Sequence, residues 1–178
     1  RGLGDMYKRQ GNFDHSQNPL FAVLNPRFAG GASIGAAYKA DMAAVNEYLA
    51  QPAVRELFPA DIMFKWGVKG DDKIDGRFYL YAIRISTPDG KAPLDGSVVT
   101  EAREQYAQRG ANAVVSMSMN GEGTQEWARL TGENIGKCIA IVLDGYVYSA
   151  PRVNTKIDKG SSEISGDFTI QEAKALAN

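Results

Sequence analysis

The stretch that most constrains this chain is an apolar run that ends at Asp144-Gly145 and continues directly into alternating Tyr146-Val147-Tyr148. Asp-Gly between two apolar segments is a strong local signal for a two-residue turn, because both residues tolerate positive φ. The alternation that follows is typical of a half-buried strand. We therefore predict a tight β-hairpin centred on Asp144.

Composition places the chain among ordinary globular proteins. It has 178 residues, of which 44% are hydrophobic and 23% charged, and its formal net charge is −1. A chain of this length holds one domain or two small ones. A near-neutral chain also lacks the positive field that holds nucleic acid, so we expect no nucleic-acid partner.

No stretch of the sequence is apolar for long enough to cross a bilayer. The longest uninterrupted apolar run, Cys138–Leu143, has six residues, whereas a membrane-spanning helix needs about 20. The sequence begins with Arg1, and no signal peptide is recognised within it. We therefore expect an excised soluble piece of a larger protein. Because Cys138 is the only cysteine, an internal disulfide is excluded.

The first part of the chain combines a polar segment with short apolar runs. Residues 1–18 are polar and glycine-rich, and we expect them to be loosely ordered. An apolar run from residue 19 to 24 is stopped by Asn-Pro and is read as a short strand. Ser33 is the predicted N-cap of a helix. The apolar side of this helix consists of residues at helical spacing, namely Tyr38, Met42, Val45 and Leu49.

Two β-rich segments follow a second short helix that is predicted to begin at Pro52. Alternation of apolar residues from 62 to 66 predicts a half-buried strand, and residues 77–85 predict another. The segment 87–93 contains two prolines and Asp-Gly, so it breaks regular structure. We therefore predict a boundary there, between an N-terminal half (19–93) and a C-terminal half (94–178).

The C-terminal half continues with strands and helices in irregular order. Residues 100–108 have helical propensity, but a convincing strand at 113–119 favours a hairpin. Residues 120–131 predict a helix with Trp127 and Leu130 facing inward. Together these elements predict an α+β fold, in which helices pack on a mainly antiparallel sheet in one compact domain with an inserted N-terminal half.

A search for reactive groups yields no convincing constellation. His15 is the only histidine, so any Ser-His-Asp or Cys-His arrangement would have to use it. It lies in the polar N-terminal segment and is read as a solvated side chain. Asp71, Asp72 and Asp75 lack the spacing of a calcium loop and are read as a solvated turn. Cys138 is read as a small core residue. We therefore predict no catalytic, cofactor or metal site, and no enzymatic activity.

Two other motifs have equally plain explanations. The glycines at 30 and 31, ahead of the predicted helix, could cradle an anion, but they lack the lysine of a nucleotide-binding loop. Near the end of the chain, Thr169 and Glu172 have the spacing of a capping box. They therefore predict a final helix.

Two tyrosine pairs are the only hint of a binding surface that comes from the residues themselves. Tyr79 and Tyr81 share one face of their predicted strand, and Tyr146 and Tyr148 share one face of theirs. Core packing is the default interpretation of such pairs. If a pair is exposed, it would suit an extended polypeptide, and an edge strand could accept such a chain by β-augmentation.

From about Asn112 to Asn178 the sequence resembles the SecD family of protein-export membrane subunits. The shared pattern runs from Glu133-Asn-Ile-Gly-Lys through Ala-Ile-Val-Leu-Asp-Gly and Ser-Ala-Pro to Ser-Gly-x-Phe-Thr and Glu-Ala. We interpret its fixed positions as residues that shape the backbone. They are Asp144, Gly145, Ser149, Ala150, Pro151, Gly160, Gly166, Phe168, Thr169 and Glu172. Upstream, Leu57-Phe58-Pro59 and Trp66 resemble a longer variant, which is often fused to SecF as SecDF.

The resemblance implies a specific function. The matching region is the head of the first periplasmic domain, in an inner-membrane protein that uses the proton gradient to assist preprotein export. Its implied partners are unfolded preprotein, SecF and the SecYEG translocon, and its membrane attachment would be through transmembrane helices absent from this fragment. The resemblance identifies no polypeptide-contacting residues. Two alternatives remain open: a structural spacer that holds translocon partners, and a small periplasmic enzyme.

Overall fold

A computed structural model of the chain describes residues 18–27, 31–85, 87–106 and 113–168. Backbone contacts divide it into two compact units, and two long strands, β3 (Ile62–Asp71) and β4 (Arg77–Arg84), contribute to both. The first unit takes the described residues up to 60 together with 69–82. The second takes 61–68 and the described residues from 83 onward.

The first unit combines short helices with antiparallel strands. Its helices are α1 (Leu20–Val23), α2 (Met42–Ala50) and α3 (Pro52–Arg55). Its strands β1 (Asn25–Pro26) and β2 (Ser33–Ala37) join the hairpin of β3 and β4 in the order β1-β2-β4-β3. Helix α3 begins at the predicted Pro52. The core of the first unit includes Leu24, Val45, Leu49 and Leu80, of which Val45 and Leu80 are completely buried.

Two sequence predictions for this unit are wrong. The run at 19–24, predicted as a strand, forms helix α1, because a short apolar run fits either structure. Ser33 does not cap a helix; it begins strand β2, and the next long helix begins only at Met42. Tertiary pairing explains the second error, since Ala36 and Ala37 are buried opposite Tyr79 and Phe78 of β4.

The second unit contains two sets of strands and the longest helix among the described residues. Strand β3 pairs in parallel with β8 (Tyr146–Ser149), which is antiparallel to β7 (Ile141–Leu143). A three-stranded antiparallel sheet has the order β5-β6-β9. These strands are β5 (Val99–Tyr106), β6 (Ala113–Met119) and β9 (Ser161–Phe168). The pairing of β5 with β6 confirms the hairpin, and the described elements confirm the α+β class.

Helix α4 (Gly121–Glu133) is positioned by local chemistry at its first turn. The Asn120 side chain accepts a hydrogen bond from the Gly123 N–H at 2.8 Å, which satisfies a donor that the helix cannot pair itself. Trp127 is buried in a cluster with alternate residues of β6, and Leu130 packs against that cluster. The helix predicted for 120–131 is therefore confirmed, with its predicted inward residues.

The hairpin predicted at Asp144 is also confirmed. Asp144 and Gly145 have φ of 50° and 84°, the left-handed values that a two-residue turn between antiparallel strands requires. By contrast, Cys138 is exposed and forms an isolated bridge with Arg152, so the prediction that it is a core residue is wrong. The predicted final helix, with Thr169 and Glu172, lies outside the described residues.

A buried hydroxyl joins helix α4 to the loop that follows β8. Thr131 has no exposed surface; its Oγ1 donates to the Trp127 carbonyl at 2.7 Å and accepts from the Ile157 N–H at 2.9 Å. Thr131→Val should lower the free energy of unfolding by about 1–3 kcal/mol, because it leaves the partly buried Ile157 N–H without its acceptor. Chemical denaturation followed by far-UV circular dichroism measures this.

Two variants control for the change of side chain. Thr131→Ser keeps the hydroxyl and should retain most of the stability. Thr100→Val makes the same replacement at an exposed position of β5 and should stay within about 0.5 kcal/mol of the parent. A value for Thr131→Val no larger than that for Thr100→Val would contradict the assignment.

Candidate functional site

Three tyrosines of the first unit lie on one side of its sheet. Tyr79 and Tyr81 point to the same side because they alternate along β4. Tyr38 follows β2 directly, and continuation of the register that pairs Ala37 with Phe78 places it opposite Arg77. We call this surface, formed by Tyr38, Tyr79 and Tyr81, the tyrosine face. Tyr38 is 46% exposed, and the other two are half-buried.

Tyr38 is held between a carboxylate and a cation. Its hydroxyl donates to Asp75 Oδ2 at 2.6 Å, and the Arg77 guanidinium lies 5.4 Å from its ring centroid. The hydrogen bond to Asp75 and the negative charge of that residue raise the pKa of Tyr38 above the ordinary value of 10.0. The hydrogen bond at the hydroxyl and the guanidinium over the ring therefore orient Tyr38, and the side chain keeps much of its surface exposed.

Tyr79 repeats this arrangement with different partners. Its hydroxyl donates to Asp71 Oδ2 at 3.0 Å, and the Arg27 guanidinium lies 5.1 Å from its ring centroid. Burial, followed by the hydrogen bond to Asp71, raises the pKa of Tyr79. The ring also contacts Tyr81 edge-to-face, with 6.5 Å between centroids, a favourable aromatic geometry.

The turn between β3 and β4 places both carboxylates. Asp71 Oδ1 accepts from the Lys73 N–H at 2.8 Å and caps a single helical turn, after which Asp75 adopts a left-handed φ of 59°. A Cβ on Gly70 would lie 2.2 Å from the Gly76 carbonyl oxygen, so the close approach of the two strands requires glycine at position 70. Turn chemistry therefore orients the acceptors that hold the tyrosines.

The Tyr38–Asp75 pair makes ionisation of Tyr38 dependent on the carboxylate. A raised folded-state pKa means that the contribution to stability is complete below pH 10.0 and is lost as the pH rises through the folded-state pKa. Asp75→Asn should lower the pKa of Tyr38, because it removes the charge while asparagine tolerates the left-handed backbone. Carbon-13 NMR of labelled tyrosine follows each phenol separately.

Asp72→Asn is the matched control for this titration, since Asp72 lies in the same turn and is exposed. It should leave the Tyr38 titration close to that of the parent. Equal titration of Tyr38 in the parent and in Asp75→Asn would show that the hydrogen bond is not formed in solution.

Sequence reasoning missed most of this surface. It assigned Tyr38 to a helix, whereas the residue lies outside α2 and is exposed. It interpreted Asp71 and Asp75 only as members of a solvated turn, whereas both also accept hydrogen bonds from tyrosine hydroxyls. The spacing of Arg77, Tyr79 and Tyr81 at every second residue was the one sequence signal that these side chains share a face of their strand. The partners of Tyr38 and Tyr79 on other elements could be identified only from the fold.

The second tyrosine pair and the edge of the three-stranded sheet are the other candidates from the sequence. Tyr146 is 46% exposed, but Tyr148 packs against the buried cluster. In the described part of the chain β5 pairs only with β6, and its side chains at Glu101, Arg103 and Gln105 are exposed. Charged residues on an edge strand disfavour indiscriminate strand addition.

The family-signature positions are distributed through the second unit. The Ser149 hydroxyl donates to the Ser165 carbonyl at 3.1 Å, and the Pro151 carbonyl accepts from the Ile139 N–H at 3.1 Å. The Gly160 carbonyl accepts from the Met119 N–H at 2.9 Å. Gly166 and Phe168 lie in β9. These contacts hold backbone segments together. They support the proposal that the signature residues have a structural role.

Neither a metal centre nor a membrane-spanning helix is found in the part of the chain that the structure describes. Its Cys, Asp and Glu residues form no group of three or more that could hold a metal ion. None of its helices has the length and apolar character needed to cross a bilayer.

Comparison with known proteins identifies close relatives. A family model for the SecDF P1 head subdomain matches residues 81–178. The protein translocase subunit SecD of Rhodothermus marinus is 38% identical over 178 residues, covering 98% of this chain and 27% of that protein. SecD of Rickettsia bellii is 45% identical over 87 residues, covering 49% of this chain and 17% of that protein. The chain thus spans about a quarter or less of these relatives.

Two solved structures also match. A SecDF described as a membrane component that enhances protein export is 22% identical, with a TM-score of 0.45, and the match covers 99% of this chain and 86% of that one. The crystal structure of SecDF in a super-membrane-facing form is 22% identical, with a TM-score of 0.46, covering 99% of this chain and 26% of that one.

Proposed function

Because the chain belongs to the SecDF P1 head family, found in the protein translocase subunit SecD, we propose that it is a polypeptide-engaging head in bacterial preprotein export. In this proposal the head lies on the periplasmic side of the inner membrane and binds the chain that emerges from the SecYEG translocon. It moves relative to a membrane-proximal base, and the proton-motive force drives the cycle together with SecF. The head itself binds and releases without catalysing a reaction.

The observation that supports this proposal is the tyrosine face. Contiguous aromatic surface that is accessible to solvent is typical of binding sites, whereas a single exposed ring is not diagnostic. Here one ring is nearly half exposed, and carboxylate and guanidinium groups hold its orientation. A binding surface of this kind fits a polypeptide-handling head better than a spacer.

The family model begins at residue 81, so most of the first unit lies outside it. We propose that residues 19–93 form an insertion-like half of the head and that 94–178 form its family core. Apart from residue 18, the N-terminal segment predicted at 1–18 lies outside the described residues. The tyrosine face lies in the first unit and the signature in the second, but the second unit also includes residues 61–68 and 83–93, which the proposed division assigns to the N-terminal half.

Cysteine crosslinking during export tests the proposal. The complete SecD subunit would carry Cys138→Ser, since the native thiol is exposed. Single cysteines would then be placed at exposed positions such as Leu57, Ile135 and Tyr146, as well as on the tyrosine face. With a translocation-arrested preprotein, we expect crosslinks to the head from at least one position. If no position captures preprotein, the head does not engage polypeptide.

Deleting the head from the complete subunit separates engagement from a spacer role. A polypeptide-engaging head predicts that SecD still assembles with SecF while preprotein export slows. Loss of assembly with SecF would instead support the spacer. Export and co-purification are measured on the same membranes.

A further inference from the structure

The tyrosine face lies over strands whose main-chain groups already have partners. In the first unit β2 lies between β1 and β4, and β4 lies between β2 and β3. The Arg27 N–H also donates to the Ile34 carbonyl at 2.8 Å. A polypeptide that lies on this face therefore cannot join the sheet as a further strand, because addition of a strand requires an unpaired edge.

The polar atoms of the face are largely committed as well. The hydroxyls of Tyr38 and Tyr79 donate to Asp75 and Asp71, and the guanidinium groups of Arg77 and Arg27 lie over one side of the same two rings. What remains for a ligand is the ring surface that is still exposed, which is largest at Tyr38. Such a surface attracts apolar, aromatic and proline side chains, and it does not require a fixed hydrogen-bonding pattern.

The charges that contact the rings balance. Two guanidinium groups, from Arg27 and Arg77, face two carboxylates, from Asp71 and Asp75. These four groups together favour neither acidic nor basic segments, so we expect binding to depend only weakly on salt.

We infer that the tyrosine face binds extended polypeptide through side-chain stacking, with the ligand in the polyproline II conformation. Aromatic surfaces recognise this conformation without main-chain hydrogen bonds from a neighbouring strand. It is also a major conformer of unfolded chains. The inference rests on the proposed function and adds to it the location of the surface, the conformation of the ligand and the class of favoured side chains.

Fluorescence anisotropy with the 178-residue chain and labelled peptides tests the inference. A peptide rich in Pro, Phe and Leu should bind, and a Gly-Ser peptide of equal length should bind at least about tenfold more weakly. Methylation of alternate amide nitrogens, which prevents strand addition, should leave the affinity of the first peptide nearly unchanged. Raising NaCl from about 50 to about 500 mM should change it by less than about twofold.

Matched variants locate the binding surface. Tyr38→Ala and Tyr81→Ala should each weaken binding about five- to tenfold, because aromatic anchors dominate such contacts. Tyr38→Phe keeps the ring and should bind like the parent. Tyr146→Ala is the control, because Tyr146 has the same 46% exposure but lies in the second unit. Circular dichroism verifies that each variant is folded.

The outcomes separate this inference from the proposed function. Peptide binding that is lost on amide methylation overturns the inference and indicates strand addition at an edge such as β5. Binding that is unaffected by Tyr38→Ala and Tyr81→Ala also overturns it, because the peptide then binds outside the tyrosine face. The proposed function survives that result as long as preprotein still crosslinks to the head. Absence of crosslinks from all positions removes both.

Discussion

Trp127→Ala is expected to lower the free energy of unfolding by about 3–5 kcal/mol, the largest effect anticipated for a single substitution in the second unit. Trp127 is 9% exposed and lies in the cluster with Val115, Met117, Met119 and Ile164. Removing the indole leaves a cavity between helix α4 and strand β6. Guanidinium denaturation followed by far-UV circular dichroism measures the change without relying on tryptophan fluorescence.

Trp127→Phe is the matched control for this experiment. The indole Nε1 is buried, and the described part of the chain offers it no acceptor, so phenylalanine loses no hydrogen bond there. Trp127→Phe should therefore cost clearly less than alanine. Equal destabilisation by both substitutions would mean that the N–H, rather than the packed ring, stabilises this region.

Leu80→Ala is expected to lower the free energy of unfolding by about 2–5 kcal/mol. Leu80 has no exposed surface and lies between two residues of the tyrosine face, Tyr79 and Tyr81, on the opposite side of β4. Its loss removes the apolar support of the strand that orients these rings. Both the resistance of this variant to denaturant and its affinity for peptide should therefore be lower than those of the parent.

Leu57→Ala makes the same chemical change at a position that is 79% exposed in the same unit. It should alter the free energy of unfolding by no more than about 0.5 kcal/mol. A similar effect of the two substitutions would contradict the burial of Leu80, and with it the described packing of the first unit.

Local chemistry explains which parts of the fold could be predicted from the sequence. The turn at Asp144-Gly145 was predictable because its residue types fit only a few backbone conformations. Helix α4 was predictable because its apolar positions have helical spacing, with Trp127 on the buried side. In both cases the information lies within a few residues.

Where contacts are distant in sequence, prediction failed. Ser33 begins a strand because β2 pairs with β4, more than 40 residues away, and that pairing overrides a local helix signal. The run at 19–24 was too short for its periodicity to distinguish a helix from a strand. Tyr38 and Asp75 are separated by 37 positions, so their hydrogen bond leaves no local signature.

Functional inference from the sequence had the same limit. The SecD resemblance was correct because it depends on the order of residues along the second unit, and the family match to residues 81–178 confirms it. The tyrosine face lies mostly outside that match. Its two carboxylates were indistinguishable from an ordinary charged turn until the fold placed the tyrosines beside them.

Crosslinking at matched positions during export tests the central claim most directly. In the complete subunit with Cys138→Ser, the substitutions Tyr38→Cys and Tyr146→Cys replace tyrosines of equal exposure in the two units. A translocation-arrested preprotein should crosslink strongly to position 38 and weakly to position 146. Strong crosslinking at 146 with none at 38 would contradict the claim that the tyrosine face engages the exported chain.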